Sequence, residues 1–146
     1  MPGYSGTPLA KKLGIAEGST VLLVGAPPGF EAELDPIPGG AELVADGRAD
    51  LAVLFATRRA DLAARFPAIA ERLPPAGALW VAWPKKARPK GSVKVPTDLT
   101  EDVLREVVLP LGWVDVKVCA VTGVWSGLKF VLRRENRPPR RPATGP

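Results

Sequence analysis

Hydrophobic residues along this chain fall into short continuous runs separated by turn residues, with two stretches of helical periodicity between them. Val21-Leu22-Leu23-Val24, bounded by Gly18 and Gly25, is too short for a helix and reads as a strand buried on both faces. Ala26-Pro27-Pro28-Gly29-Phe30 follows as a turn with at most one turn of helix after it. A second strand is expected over Ala41 to Ala45, and Asp50 to Ala56 reads as a third, again buried on both faces. From Arg58 to Leu73 the period changes: Leu62, Phe66, Ile69 and Leu73 are spaced by four, three and four, so one helix face is apolar, and Pro67 is expected to kink or split that helix. Pro74-Pro75 stops it, and Ala78 to Trp83 is another buried strand, ended by Pro84.

The remaining elements carry clearer end signals. Thr7-Pro8 marks the start of a short helix with Leu9 and Leu13 on one face and Gly14 as its stop. Thr100 can cap a helix from about Glu101 to Leu109, with Glu101 and Asp102 in the first turn, where the helix dipole favours acids. Val103, Val107, Leu104 and Val108 form its apolar stripe. Trp113 to Thr122 alternates, with Val114, Val116 and Val118 on the face expected to be buried and Asp115 and Lys117 on the other. Gly123 begins a turn into Leu128 to Leu132, which completes an antiparallel pair. The fold class is α/β: five to six strands, mostly parallel, with flanking helices and a C-terminal antiparallel hairpin.

Size and composition fit one such unit. The chain has 146 residues, 46% hydrophobic and 24% charged, and its 17 prolines gather in loops and at the C-terminus. The expected organisation is a single domain over residues 1–135 followed by a disordered tail over 136–146, where Pro, Arg and small residues cannot bury themselves. There is no histidine, which excludes His metal ligands, His general bases and Ser-His-Asp triads. The single cysteine, Cys119, excludes an internal disulfide and reads as a buried, inert thiol. Met1 to Ser5 lacks the basic start and apolar core of a signal peptide, and no apolar run approaches the ~18 residues of a membrane helix. A cytoplasmic protein with no membrane contact is expected.

Charge is unevenly placed. Lys85, Lys86, Arg88, Lys90 and Lys94 give the loop between Lys85 and Lys94 a charge of +5, and Arg133 to Pro146 carries +4. Since the whole chain is at +5, the rest stands at −4. Loop 85–94 and the tail can hold nucleic-acid phosphates non-specifically by counterion release. Neither has the interleaved aromatics that stack single strands, so a solvated loop and tail is the plainer reading.

Three segments resemble landmarks of the S-adenosylmethionine-dependent methyltransferase fold. Val21 to Phe30 is similar to its first strand and Gly-rich turn, and Leu73-Pro74-Pro75-Ala76-Gly77-Ala78-Leu79-Trp80-Val81 to the approach to its fifth strand. Leu111 to Val118 is similar to its passage from helix to sixth strand. Tyr4 to Ile15, Trp83-Pro84-Lys85 and Trp125-Ser126-Gly127-Leu128-Lys129 further resemble a bacterial family designated only as a domain of unknown function, over about Tyr4 to Asn136. That family carries no established activity, so the resemblance implies a small Rossmann-like scaffold and no reaction. The methyltransferase turn ordinarily holds three close glycines and opens a long helix that seats the cofactor. Here Pro27-Pro28 stands in the turn, and only about ten residues separate Phe30 from the next strand, where a full crossover takes at least ~10–12 residues with its helix. One or more helix–strand units are expected to be missing, and part of the cofactor pocket with them.

The resemblance makes Gly25, Pro28, Gly29 and Thr57 the candidate contacts to a cofactor, with S-adenosylmethionine the one implied. Rigid-turn duty is the plainer role for Gly25 to Gly29. Lys85, Trp125 and Ser126 are candidates on the same rim, where an aromatic, a lysine and a hydroxyl can hold an anionic or planar ligand, against a core role for the tryptophans. Asp46, 21 residues after Gly25, has nearly the spacing of a ribose-binding acid, but before Gly47 it reads as a solvated turn residue. Lys85, Asp98, Asp50 and Tyr4 are the titratable groups available for catalysis, and no pair among them has a spacing that fixes a geometry. No catalytic residue and no metal ligand is assigned. The expectations are a non-catalytic or weakly catalytic ligand-binding or accessory domain, a methyltransferase with a reduced pocket, or a nucleic-acid-associated protein.

Overall fold

Six strands form one sheet in the order β2-β1-β3-β4-β6-β5 in the structure, a computed structural model that describes residues 8–86, 90–91 and 94–137. β1 (Thr20–Val24), β2 (Glu42–Val44), β3 (Leu51–Phe55) and β4 (Ala78–Pro84) are parallel. β5 (Trp113–Ala120) and β6 (Trp125–Leu132) are the antiparallel pair, with β6 inserted between β4 and β5. Two of the continuous apolar runs are buried as expected, all five residues of β3 and Leu79 to Pro84 of β4, whereas in β1 Val21 and Leu22 are buried and Leu23 and Val24 only half-buried.

Two apolar layers sandwich the sheet. On one face α3 (Arg59–Ala70) and α4 (Glu101–Val108) bring Leu62, Phe66, Ile69, Leu104 and Val108 against Leu54, Leu79, Val81, Leu128 and Phe130. Phe66 stands edge-on to both Trp113 and Phe130, at centroid distances of 5.4 and 5.8 Å. On the other face α1 (Leu9–Leu13) and α2 (Phe30–Glu33) cover Val21, Val53, Phe55 and Trp80. Trp80 is fully buried, and its indole N–H donates to the Leu13 carbonyl at 2.9 Å, pinning α1 to the centre of the sheet. Gly14, at φ +87°, ends α1 with its own N–H on Lys11 O and that of Ile15 on Ala10 O, a turn that the left-handed conformation requires.

The connections are where the fold is short. α2 is a single turn, and residues 45–50, which carry the chain from β2 across to β3, contain no helix. Asp50 closes the base of this passage: its N–H donates to Thr20 O at 2.8 Å and its carboxylate accepts from Thr20 N–H at 2.9 Å.

Several expectations are corrected. Pro67 does not split α3, which runs unbroken from Arg59 to Ala70. Its ring lies on the exposed side, while Phe66 and Ile69 on either side of it are buried. Val116 and Val118 are each 54% exposed rather than buried, because a bulge between Asp115 and Lys117 breaks the alternation of β5. Cys119 is half-buried, and burial still pushes its thiol above the ordinary range. At the C-terminal end of the described residues, the Asn136 amide donates to Gly112 O and the Arg137 guanidinium to Leu132 O. Thr7 and residues 138–146, where a cap and the rest of the tail are expected, lie outside the described residues.

Candidate ligand-binding rim

Strand order reverses between β1 and β3: the chain leaves β1 toward β2 on one side and leaves β3 toward β4 on the other. In open α/β sheets the carboxyl ends of strands flanking such a point form the binding crevice. Gly25, Thr57 and Lys85 follow β1, β3 and β4, so the parallel sheet brings all three to one rim. Trp125 and Ser126 reach the same rim because β6 starts there, paired with Pro84 and Trp83.

Three pieces of chain build the surface of the rim. The first is the turn after β1, where Gly25 has φ +71° and Gly29 φ +84°. A Cβ on Gly25 would sit 3.0 Å from the Phe55 carbonyl, so this glycine permits β1 and β3 to close together, whereas one on Gly29 would meet nothing within 4 Å. The Phe30 N–H turns back onto the Pro27 carbonyl at 3.1 Å.

The second piece is the β5–β6 hairpin. Thr122 Oγ1 accepts from the N–H groups of Val124 and Trp125, both at 3.1 Å, and the Trp125 carbonyl accepts from Val121 and Thr122. The Trp125 ring stands edge-on to Phe55 at 5.2 Å, and Phe55 edge-on to Phe30 at 4.8 Å. Lys85 N–H donates to the Val124 carbonyl at 2.8 Å, which ties the loop after β4 to the hairpin.

The third piece, residues 94–100, lies across the end of β3. The Thr57 carbonyl accepts from Thr97 Oγ1 at 2.7 Å and from Asp98 N–H at 3.2 Å. Asp98 Oδ1 accepts from the Arg59 N–H at 2.7 Å and so caps α3, which has no side-chain cap from its own neighbour Arg58. Thr100 Oγ1 caps α4 through Val103 N–H at 3.2 Å, as its sequence signal implies.

Two clefts result. One, of about 820 Å³, is lined by Trp83, Lys85, Lys86, Lys94, Thr97 and Ser126, together with Asp98 and Glu101. The other, of about 810 Å³, is lined by Pro27, Pro28, Gly29, Phe30, Glu33 and Trp125. Of the candidates, Lys85 and Ser126 therefore share the first and Pro28, Gly29 and Trp125 the second. Gly25 and Thr57 stand at the rim but line neither cleft, because Gly25 is packed on β3 and the Thr57 carbonyl is covered by residues 97 and 98. Arg88, and the tail arginines beyond Arg137, lie outside the described residues.

Two of the four titratable candidates, Asp98 and Asp50, are taken up by structure. Asp98 caps α3 on this rim, while Asp50 serves the opposite end of the sheet. Asp46 accepts from Gly47 N–H at 2.8 Å and pairs with Arg72, which holds its carboxyl below the usual range, so it is a turn residue turned toward α3. Arg105 ties Glu101, Asp102 and Asp115 together, and its bonds to Glu101 and Asp115 raise its pKa. Tyr4 lies outside the described residues. Among the described residues no group of three or more potential ligands can hold a metal ion, and no helix is long and apolar enough to cross a membrane.

No protein-family model and no curated protein matches the sequence. Solved structures do match the fold. A SAM-dependent methyltransferase from Aquifex aeolicus superposes with a TM-score of 0.60 at 17% identity, over 82% of this chain and 85% of that one. A ribosomal protein L11 methylase from Lactobacillus delbrueckii subsp. bulgaricus gives 0.60 at 13% identity, over 86% and 75%. DhpI in complex with SAH gives 0.53 at 15%, over 87% and 84%. The fold is methyltransferase-like and Rossmann-like.

The resemblance implies S-adenosylmethionine seated at a Gly-rich turn that opens a long helix. The residues present do not fit that arrangement. Pro27 and Pro28 supply no N–H, the Phe30 N–H is used within the turn, and α2 has four residues. The acid after β2 is engaged with Arg72, and residues 97 and 98 cover the end of β3.

Proposed function

We propose that this chain is a non-catalytic binding domain on a methyltransferase-like scaffold, and that its ligand is held at the carboxyl rim by Pro28, Gly29, Lys85, Trp125 and Ser126. The observation that carries this reading is the strap of residues 97 and 98 bonded to Thr57 and Arg59, beside two clefts that remain open. The chain's own segment lies over the end of β3, while the adjoining surface is concave and fixed by hydrogen bonds. The engagement of Asp98 and Glu101 in capping and ion pairing also favours binding over proton transfer.

Thermal-shift titration and calorimetry with S-adenosylmethionine and S-adenosylhomocysteine test the proposal. The expected result is no shift, no heat and no methyl transfer. A bound ligand at a hundredfold excess over its Kd adds about 2.7 kcal/mol, which is several degrees in Tm. A shift of that size with both compounds, together with methyl transfer to any acceptor, would overturn the non-catalytic assignment.

A further inference from the structure

We infer that the two clefts are halves of one site for a small molecule that joins an aromatic ring to a phosphate or carboxylate; this rests on the proposal that the rim binds a ligand. Val95 and Val124 line both clefts, so the two adjoin across a saddle formed by these residues. On one side of the saddle the lining is net cationic, three lysines against two acids. Lys85 and Lys86 come from the chain leaving β4 and Lys94 from the chain returning to α4, with the Ser126 hydroxyl beside them. The two acids there are already engaged, Asp98 with the Arg59 N–H and Glu101 with Arg105. On the other side the walls are Pro27, Pro28, Phe30 and Trp125, a surface suited to the face or edge of a ring.

Glu33 lines the aromatic half and gives the groove a direction. Like charge repels an anion from that end, so the acidic group of the ligand lies over the lysines and its ring over the prolines and Trp125. The halves are also held in register. Val124 carries the Lys85 N–H on its carbonyl, and Thr122 fixes the N–H groups of both Val124 and Trp125. The backbone that carries Lys85 is thus bonded to the hairpin that carries Trp125, so the spacing of the two positions is set before a ligand arrives.

Calorimetry on the full chain in low salt tests the inference with three sets of probes: adenosine 5′-monophosphate; indole-3-acetate; and the fragments adenosine, indole and inorganic phosphate. At least one of the two joined compounds is expected to bind at least tenfold more tightly than either of its parts. The Lys85→Gln/Lys94→Gln variant should weaken it about tenfold or more, the effect of losing charge-assisted contacts, and flatten its salt dependence. Trp125→Leu should weaken the joined compound and leave phosphate binding unchanged; the lysine variant, which touches no core residue, carries the test if Trp125→Leu does not fold. Tighter binding of the nucleotide assigns the anion to a phosphate, and tighter binding of the indole acid assigns it to a carboxylate. Joined compounds that bind no better than their fragments, or that ignore the lysine substitutions, would overturn the two-part site while leaving a binding domain. Turnover of S-adenosylmethionine would instead overturn the non-catalytic reading on which it rests.

Discussion

Replacing Asp98 by alanine removes the side-chain acceptor from the first N–H of α3, a bond of 2.7 Å made across 39 residues of chain. Loss of an N-cap costs about 1 kcal/mol within a range of about 0.5–2. Loss of a carboxylate at a helix N-terminus adds about 0.3–1 kcal/mol at low ionic strength. Asp98 is exposed, so water can replace part of the bond, and the backbone link from Asp98 N–H to Thr57 O survives. The net expectation is about 1–2 kcal/mol. For a chain of this size that is a fall of about 3–6 °C in Tm. With a slope of about 1.5 kcal/mol/M, the urea midpoint moves down by about 0.7–1.3 M, readable by tryptophan fluorescence. Asp98→Asn keeps the acceptor and loses only the charge, so it should fall between wild type and alanine. Hydrogen exchange at the Arg59 amide should accelerate in Asp98→Ala and much less in Asp98→Asn. Equal midpoints for wild type and Asp98→Ala would refute the cross-chain cap, and an asparagine variant as damaged as the alanine one would show that charge alone acts.

Other perturbations follow from single contacts. Gly25→Val combines a β-branched residue at φ +71° with a Cβ 3.0 Å from the Phe55 carbonyl, and should cost more than about 3 kcal/mol. Gly29→Ala, at φ +84° in open space, should cost only about 1 kcal/mol, and similar urea midpoints for the two variants would contradict the packing assigned to Gly25. Trp80→Phe withdraws the buried indole N–H from Leu13 O and should cost about 1–3 kcal/mol, with faster amide exchange in α1; unchanged exchange there would mean that the bond does not hold the helix. Asp46 has its carboxyl pKa lowered in the folded chain, chiefly by its hydrogen bond to Arg72. Its contribution is therefore present above the unfolded carboxylate value of about 4 and lost as pH falls through the lower folded value. Asp46→Asn should have a shallower acid limb below about pH 4 than wild type, and superimposable pH profiles of the urea midpoint would exclude the pairing.

The inner parallel strands announce themselves in this chain because they carry apolar side chains on both faces. Val21 to Val24 and Leu51 to Phe55 have no polar position to obscure them, and their turns carry Gly or Pro. Thr100 was legible for the same local reason, since a cap and the helix it serves lie within four residues. The cap on α3 was not. Arg58 cannot accept from the helix it precedes, which signals that an acceptor is owed from elsewhere, but nothing local points to Asp98. The alternation of β5 misled because one bulge residue shifts every following side chain to the other face. At the rim, Lys85, Trp125 and Ser126 could be placed from strand ends alone. Their division between two clefts, and the roles of Lys94 and Val124, depend on how the 94–100 segment folds back, and that is long-range information.

The bulge in β5 has a consequence outside the folded molecule itself. β5 borders the sheet with eight residues of edge, against three in β2 at the other border, and it displays Val116 and Val118 to solvent. A straight edge of that length and composition is a template on which foreign or partly unfolded chains can add strands, the first step of aggregation. The irregular pairing between Asp115 and Lys117 interrupts that template midway, and Lys117 sets a charge between the two valines. One unpaired residue and one lysine at the border of the sheet, neither of them part of the core, thus work against strand addition at that edge.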